Sequence, residues 1–177
     1  MEIINHSTKF KEILICTGIN FSDHRGTFKK TIYGDKLETL MGGPIREILC
    51  VNSSKNVIRG MHFQTKPNEV TKFVTCIKGS ITDVFIDIRK ESKTYGEVGS
   101  YELNETDFYS ILIPKGFAHG YLVTSDEATV IYAQSGNYSK KSDSSINPLS
   151  INYDWKISSP IMSEKDTNSK NFEDLKL

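Results

Sequence analysis

The feature that most restricts this chain is a succession of short segments in which apolar and polar residues alternate, broken by turn residues about every eight to twelve positions. Alternate side chains of a strand point to opposite faces, so the pattern builds sheets and not helices. Residues 73–77 run into Lys78-Gly79-Ser80, and 81–89 resume the alternation, which reads as a hairpin. Along its second arm Val84, Ile86 and Ile88 share one face, and Asp83, Phe85, Asp87 and Arg89 the other. Further strands are expected at 99–103, 109–113, 120–123 and 128–134. Only residues 34–41 read as helical, stopped by Gly42-Gly43. Many short strands predict an all-β sandwich, jelly roll or barrel. The stretch 156–177 is polar and broken by Ser158-Ser159-Pro160; it reads as a tail wrapping the body, with Phe172 and Leu175 docking. No repeat or internal boundary interrupts 1–177, a length suited to one domain with its own core.

Charge excludes some functions. Lys+Arg and Asp+Glu both total 22, a formal net charge of zero, which argues against nucleic-acid or membrane-surface binding. No run approaches the ~20 apolar residues of a membrane span. The N-terminal residues carry no charged region and apolar stretch of the signal-peptide kind. Cys16, Cys50 and Cys76 lack metal or redox spacing and read as small buried hydrophobes in a reducing compartment. A soluble, cytoplasmic protein is expected.

Chemistry concentrates in Arg59-Gly60-Met61-His62-Phe63-Gln64, followed by Lys72 at the mouth of a strand. Histidine can exchange a proton near neutrality, while arginine and lysine hold phosphate or a developing oxyanion. Alternation alone puts Arg59 and His62 on opposite faces, so a bulge near Gly60 is needed for both to meet one ligand. His119, between Ala118 and Gly120, reads as a turn residue or as part of a close backbone approach to a ligand. Tyr132 reads equally as core or as a site residue, with Tyr138 just past a turn. The remaining histidines, His6 and His24, do not complete a metal-ligand pattern, so metal-free chemistry without a cofactor is expected.

Together with Lys72, the motif at 59–64, the run 82–89, Ile113-Pro114-Lys115-Gly116-Phe117-Ala118-His119-Gly120 and Val130-Ile131-Tyr132 resemble the dTDP-4-dehydrorhamnose 3,5-epimerase family. So do Asp23-His24-Arg25-Gly26-Thr27-Phe28 and Ser163-Glu164-Lys165-Asp166, and the likeness extends from about residue 21 to 166. The resemblance implies a metal-independent cupin-type jelly roll, a homodimer that exchanges N-terminal strands, and a nucleotide-sugar substrate inverted next to a 4-keto group. It implies His62 as base, Asp166 as its orienting partner, Lys72 beside the enolate oxygen and Tyr132 as the acid on the opposite side. It also implies Arg25 and Arg59 at the pyrophosphate and Phe28 stacked on the base, within the subunit or across the dimer interface. His119, Asp83 and Tyr138 would border the sugar.

The chain departs from the family pattern at three places. Lys30 stands where a carboxylate is usual, Glu47 and Leu49 where a Gln-x-Asn pair is usual, and Lys165 where an arginine is usual. A different loop length before Arg59 would instead let Asn52 supply the missing amide. The expected function is epimerisation at C3, C5 or both of a nucleoside-diphosphate 4-keto-6-deoxyhexose in deoxysugar synthesis for a polysaccharide. A single-carbon epimerase on a CDP- or GDP-linked sugar, a 3,4-ketoisomerase and a non-catalytic sugar-nucleotide-binding cupin are the rivals.

Overall fold

A computed structural model of the chain describes residues 2–4, 10–31 and 36–176. Its strands are β1 (Glu2–Ile4), β2 (Leu14–Thr17), β3 (Ile19–Asp23), β4 (Gly26–Lys30), β5 (Glu47–Ser54), β6 (Ile58–Gln64), β7 (Lys72–Lys78), β8 (Ser80–Asp87), β9 (Val98–Asn104), β10 (Tyr109–Ile113), β11 (Phe117–Val123), β12 (Glu127–Gln134) and β13 (Asp143–Ser145). One sheet runs β1-β2-β10-β7-β12-β5 and a second β13-β6-β11-β8-β9, while β3 and β4 form a separate hairpin. Every pairing in the two large sheets is antiparallel. Two such sheets face to face make a jelly roll, one of the β architectures the patterning allowed and the cupin type that the resemblance implied. Helix α1 spans Lys36–Met41; the expected start at 34 and 35 lies outside the described residues, as does His6.

The core forms where inward faces meet. Val74, Cys76, Ile111 and Val130 of the first sheet pack against Ile81, Phe85, Phe117, Tyr121 and Val123 of the second. Phe10, Phe85 and Phe117 meet edge to face at centroid separations of 5.5 to 6.4 Å, an arrangement the ring quadrupoles favour. The outer faces are covered too. Val84, Ile86 and Ile88 are sealed by Ile146, Ile151 and Trp155, with Phe172 and Leu175 of the C-terminal segment against them. Leu37 and Met41 of α1 cover Cys16, Phe73, Leu112 and Ala133. Each large aliphatic or aromatic side chain so buried contributes about 1.5–3 kcal/mol.

Three expectations need correction. The strands on either side of Lys78-Gly79-Ser80 are not a hairpin: β7 pairs with β10 and β12, β8 with β9 and β11. The chain arches from one sheet to the other, because both strands bring apolar residues to the same inter-sheet core, and alternation looks identical in either arrangement. Gly79, at φ +72°, permits the arch; a Cβ there would lie 2.1 Å from the Glu127 carbonyl oxygen. The second correction is β5, absent from the expected strands yet paired with β12 along its whole length; its apolar run Ile48-Leu49-Cys50-Val51 hides the alternation. The third is Cys50, which is exposed on that strand. Cys16 and Cys76 are buried as expected, and burial pushes both thiols up to about 11.

Candidate active site

Between the sheets lies a cavity of about 370 Å³. Arg59, His62 and His119 reach it from the second sheet, and Glu47, Lys72 and Tyr132 from the first. Arg59 and His62 share this wall because β6 carries an extra residue. His119 pairs with His62 but Tyr121 pairs with Arg59, so two steps along β11 match three along β6. This is the bulge that alternation demanded. Gly60 sits there at φ +137°, and a Cβ would come within 2.5 Å of Gly120 Cα, so both glycines let the backbones close up.

His62 is half-buried and donates from Nε2 to Asp166 Oδ1 at 2.6 Å. Asp166 is buried on the short helix α2 (Glu164–Thr167), whose N-cap Ser163 accepts the Asp166 N–H at 3.1 Å. Burial alone would raise this carboxyl, but the hydrogen bond and charge of His62, with Ser163 and the Gly60 N–H, outweigh it and hold it below the ordinary carboxylate value. Lys72 donates from Nζ to the His62 carbonyl at 3.1 Å, and burial pushes its pKa down to about 8. His119 donates from Nε2 to Asp83 Oδ2 at 2.8 Å. Burial pushes that histidine down and Asp83 up. Tyr132 lies edge-on to the His119 ring at 6.0 Å. Burial, reinforced by neighbouring Tyr121, drives its phenol well above its usual value, so it holds its proton at neutral pH.

The other expected residues divide into two groups. Tyr138 and Lys165 line the cavity, both held by Asp143: the Tyr138 hydroxyl donates at 3.1 Å and the Lys165 Nζ at 2.6 Å. Arg59 is fixed at the rim by a bond from Nε to Ser53 Oγ at 2.8 Å. Glu47 accepts the Tyr138 N–H at 2.7 Å and the Gln134 amide at 3.1 Å. Arg25 and Phe28 do not join this cavity. They sit on the β3–β4 hairpin, where Arg25 pairs with Asp23 and Phe28 is 62% exposed. Asn52 does not replace the missing amide. It follows the cavity-lining Val51 and precedes the inward Ser53, so alternation turns its side chain to the other face, where it accepts from Thr129.

Sequence reasoning assigned no role to Gln64, Gln134, Asp143 or Tyr121. Gln64 had a signal, since it closes the His62 motif; its amide donates to the Asn137 carbonyl at 3.2 Å and accepts the Ser139 N–H at 2.6 Å, clamping the turn that carries Tyr138. Asp143 had none, because its partner Lys165 is 22 residues away. Among the described residues no group of three or more His, Cys, Asp or Glu is placed to hold a metal ion. No helix among them is long and apolar enough to cross a membrane.

Known proteins share this architecture. The family model for dTDP-4-dehydrorhamnose 3,5-epimerase matches residues 7–174. A dTDP-4-dehydrorhamnose 3,5-epimerase from Shigella flexneri is 35% identical over 171 residues, 94% of each chain. A dTDP-4-dehydrorhamnose 3-epimerase from Streptomyces niveus is 32% identical over 152 residues, 84% of this chain and 73% of its own. The Legionella pneumophila dTDP-6-deoxy-D-glucose-3,5-epimerase, solved in complex with dTDP-4-keto-L-rhamnose, superposes with a TM-score of 0.89 at 31% identity, covering 99% of this chain and 94% of that one. A match over nearly the whole length, with relatives above 30% identity, makes this chain a member of the dTDP-4-dehydrorhamnose 3,5-epimerase family.

Proposed function

We propose that this isomerase inverts carbon beside the 4-keto group of a dTDP-linked 6-deoxyhexose through an enolate. The observation that carries the reading is that His62 and Tyr132 reach one cavity from opposing sheets, with Lys72 in the same cavity. A carbon acid next to a ketone is deprotonated only by a placed base, with the oxyanion stabilised as it forms. His62 donates from Nε2 to Asp166, which leaves Nδ1 to take the proton from C3 or C5. The electron pair moves onto the 4-oxygen, where the Lys72 ammonium stabilises it. Tyr132 then returns a proton to the same carbon from the opposite side, and the inverted ketone re-forms. His62 loses its proton and Tyr132 regains one through solvent. A raised phenol suits this task, since Tyr132 stays loaded with its proton until a carbanion is there to take it.

Arg59 would hold the pyrophosphate, and Arg25 and Phe28 would complete the nucleotide site from the β3–β4 hairpin of a second copy in a homodimer. Their exposure, with that of Phe21 at 67% and Ile48 at 67%, supports such a partner. Incubation with dTDP-4-keto-6-deoxyglucose in D₂O should place deuterium at C3, C5 or both, read by NMR. No exchange with this or with other nucleotide forms would end the proposal.

Glu47 and Leu49 support a second reading. An acid and an apolar side chain line the cavity here, so a different nucleotide or a single inverted carbon fits the same catalytic set. Binding of dTDP against CDP, GDP and UDP, with the deuterated positions, separates the readings; a clear dTDP preference with exchange at both carbons dismisses the second.

A further inference from the structure

Asp83 has no exposed surface, and only one of its carboxylate oxygens is engaged. Oδ2 accepts from His119, while Oδ1 has no hydrogen-bond partner. An ionised carboxylate so buried is costly unless another charge compensates it. Asp83 does not line the cavity, contrary to the expectation that it borders the sugar; it sits behind His119, which does. The acids that do line it are matched: Asp143 by Lys165 and Tyr138, Glu47 by the Tyr138 N–H and Gln134. Lys72, entering from the facing sheet, is bonded through Nζ to the His62 carbonyl, which is neutral and leaves its charge unmatched. Lys72 and Asp83 are not bonded to each other, so their attraction acts across the water-poor space between the sheets, where charges are weakly screened.

We infer that Asp83 is the counter-ion of Lys72: its open oxygen on β8 keeps the β7 ammonium charged inside the cavity, and His119 holds the carboxylate in position. The electrostatics agree. Burial pushes Lys72 down to about 8, and Asp83 is the foremost charge opposing that fall; Lys72 in turn favours the ionised form of Asp83. The other groups around Lys72 are Asp143 of β13, which also favours the ammonium, and Lys165 of α2, which opposes it. The remaining titratable and charged groups lining the cavity are Glu47, Arg59, His62, His119, Tyr132 and Tyr138. Burial keeps His119 neutral, so it supplies a hydrogen bond and not a competing cation. Asp83 is thus a positioning residue that touches no reacting atom. Its catalytic consequence rests on the enolate-stabilising role proposed for Lys72; its effect on the lysine's charge does not.

The test is an NMR titration of the Lys72 ε-carbon in the full chain labelled with ¹³C-lysine, its signal assigned with Lys72→Arg. In Asp83→Asn the midpoint should fall by about one pH unit or more, the usual effect of losing a close opposite charge. An unchanged midpoint overturns the proposal, because asparagine mimics the protonated acid and Asp83 would then already be neutral. Should that variant not fold, Lys72→Met gives the reciprocal measurement. The Asp83 carboxyl carbon should titrate at higher pH than in the parent, and no change again overturns the inference. Neither readout needs turnover, so failure of the epimerase reading shows separately as absent deuterium exchange.

Discussion

Replacing Asp166 by asparagine tests the proposed base most directly. The side chain keeps its shape inside the buried pocket beneath His62 and loses only its charge. When His62 takes a proton, the imidazolium faces Asp166 Oδ1 across 2.6 Å. With charge centres about 4 Å apart and an effective dielectric of about 20, that attraction is about 4 kcal/mol. The imidazole side chain is 36% exposed, so solvent screens part of it and about 2–4 kcal/mol remains. At 1.36 kcal/mol per decade, deuterium exchange should slow roughly 30- to 1000-fold. Exchange measured by NMR in D₂O isolates the base step from later proton return. Thermal unfolding should change little, by less than about 2 kcal/mol, because the shape and the Ser163 cap survive. Exchange at the parent rate would refute the dyad; slowing matched by loss of fold would make Asp166 structural only.

Tyr132→Phe should still wash deuterium into the substrate while inverted product falls at least about 100-fold, since only the proposed opposite-face proton donor is gone; equal loss of both signals would assign Tyr132 to binding. Gly60→Ala should cost at least about 2 kcal/mol in denaturant unfolding and reduce activity, because the φ of +137° and the 2.5 Å approach to Gly120 admit no Cβ; a parent-like midpoint would show that the bulge relaxes freely. Asp87 is buried, which alone would raise its carboxyl, but Arg89, Ser92 and Thr94 outweigh this and bring it down to about 2. A depressed folded value stabilises above the unfolded value near ~3.9 and is lost as pH falls towards 2, worth about 2 kcal/mol at neutrality. Asp87→Asn should therefore destabilise at pH 7 and flatten stability between about pH 4 and 2; an undiminished slope would place the titration elsewhere.

Alternation along the chain determined the all-β class, the inward and outward faces of β8 and the need for a bulge between Arg59 and His62, because these depend on neighbours within one strand. Composition and local motifs marked which residues carry chemistry. What no local pattern holds is which strand pairs with which. The arch at Gly79 and a hairpin have the same alternation, and only the closing of two apolar faces on one core separates them. Asn52 likewise stood as a source of the missing amide until the strand's place beside β12 turned its side chain to Thr129 and away from the cavity. His62 and Asp166 are separated by 104 residues, and Asp143, local to Tyr138, meets Lys165 only through the docking of α2. Lys72 acquires its lowered pKa from burial, and the orphaned oxygen of Asp83 exists only because it is buried within the closed fold. Residue types follow from sequence, but desolvation and long-range contact are properties of the closed tertiary structure, and they turn these residues into a site.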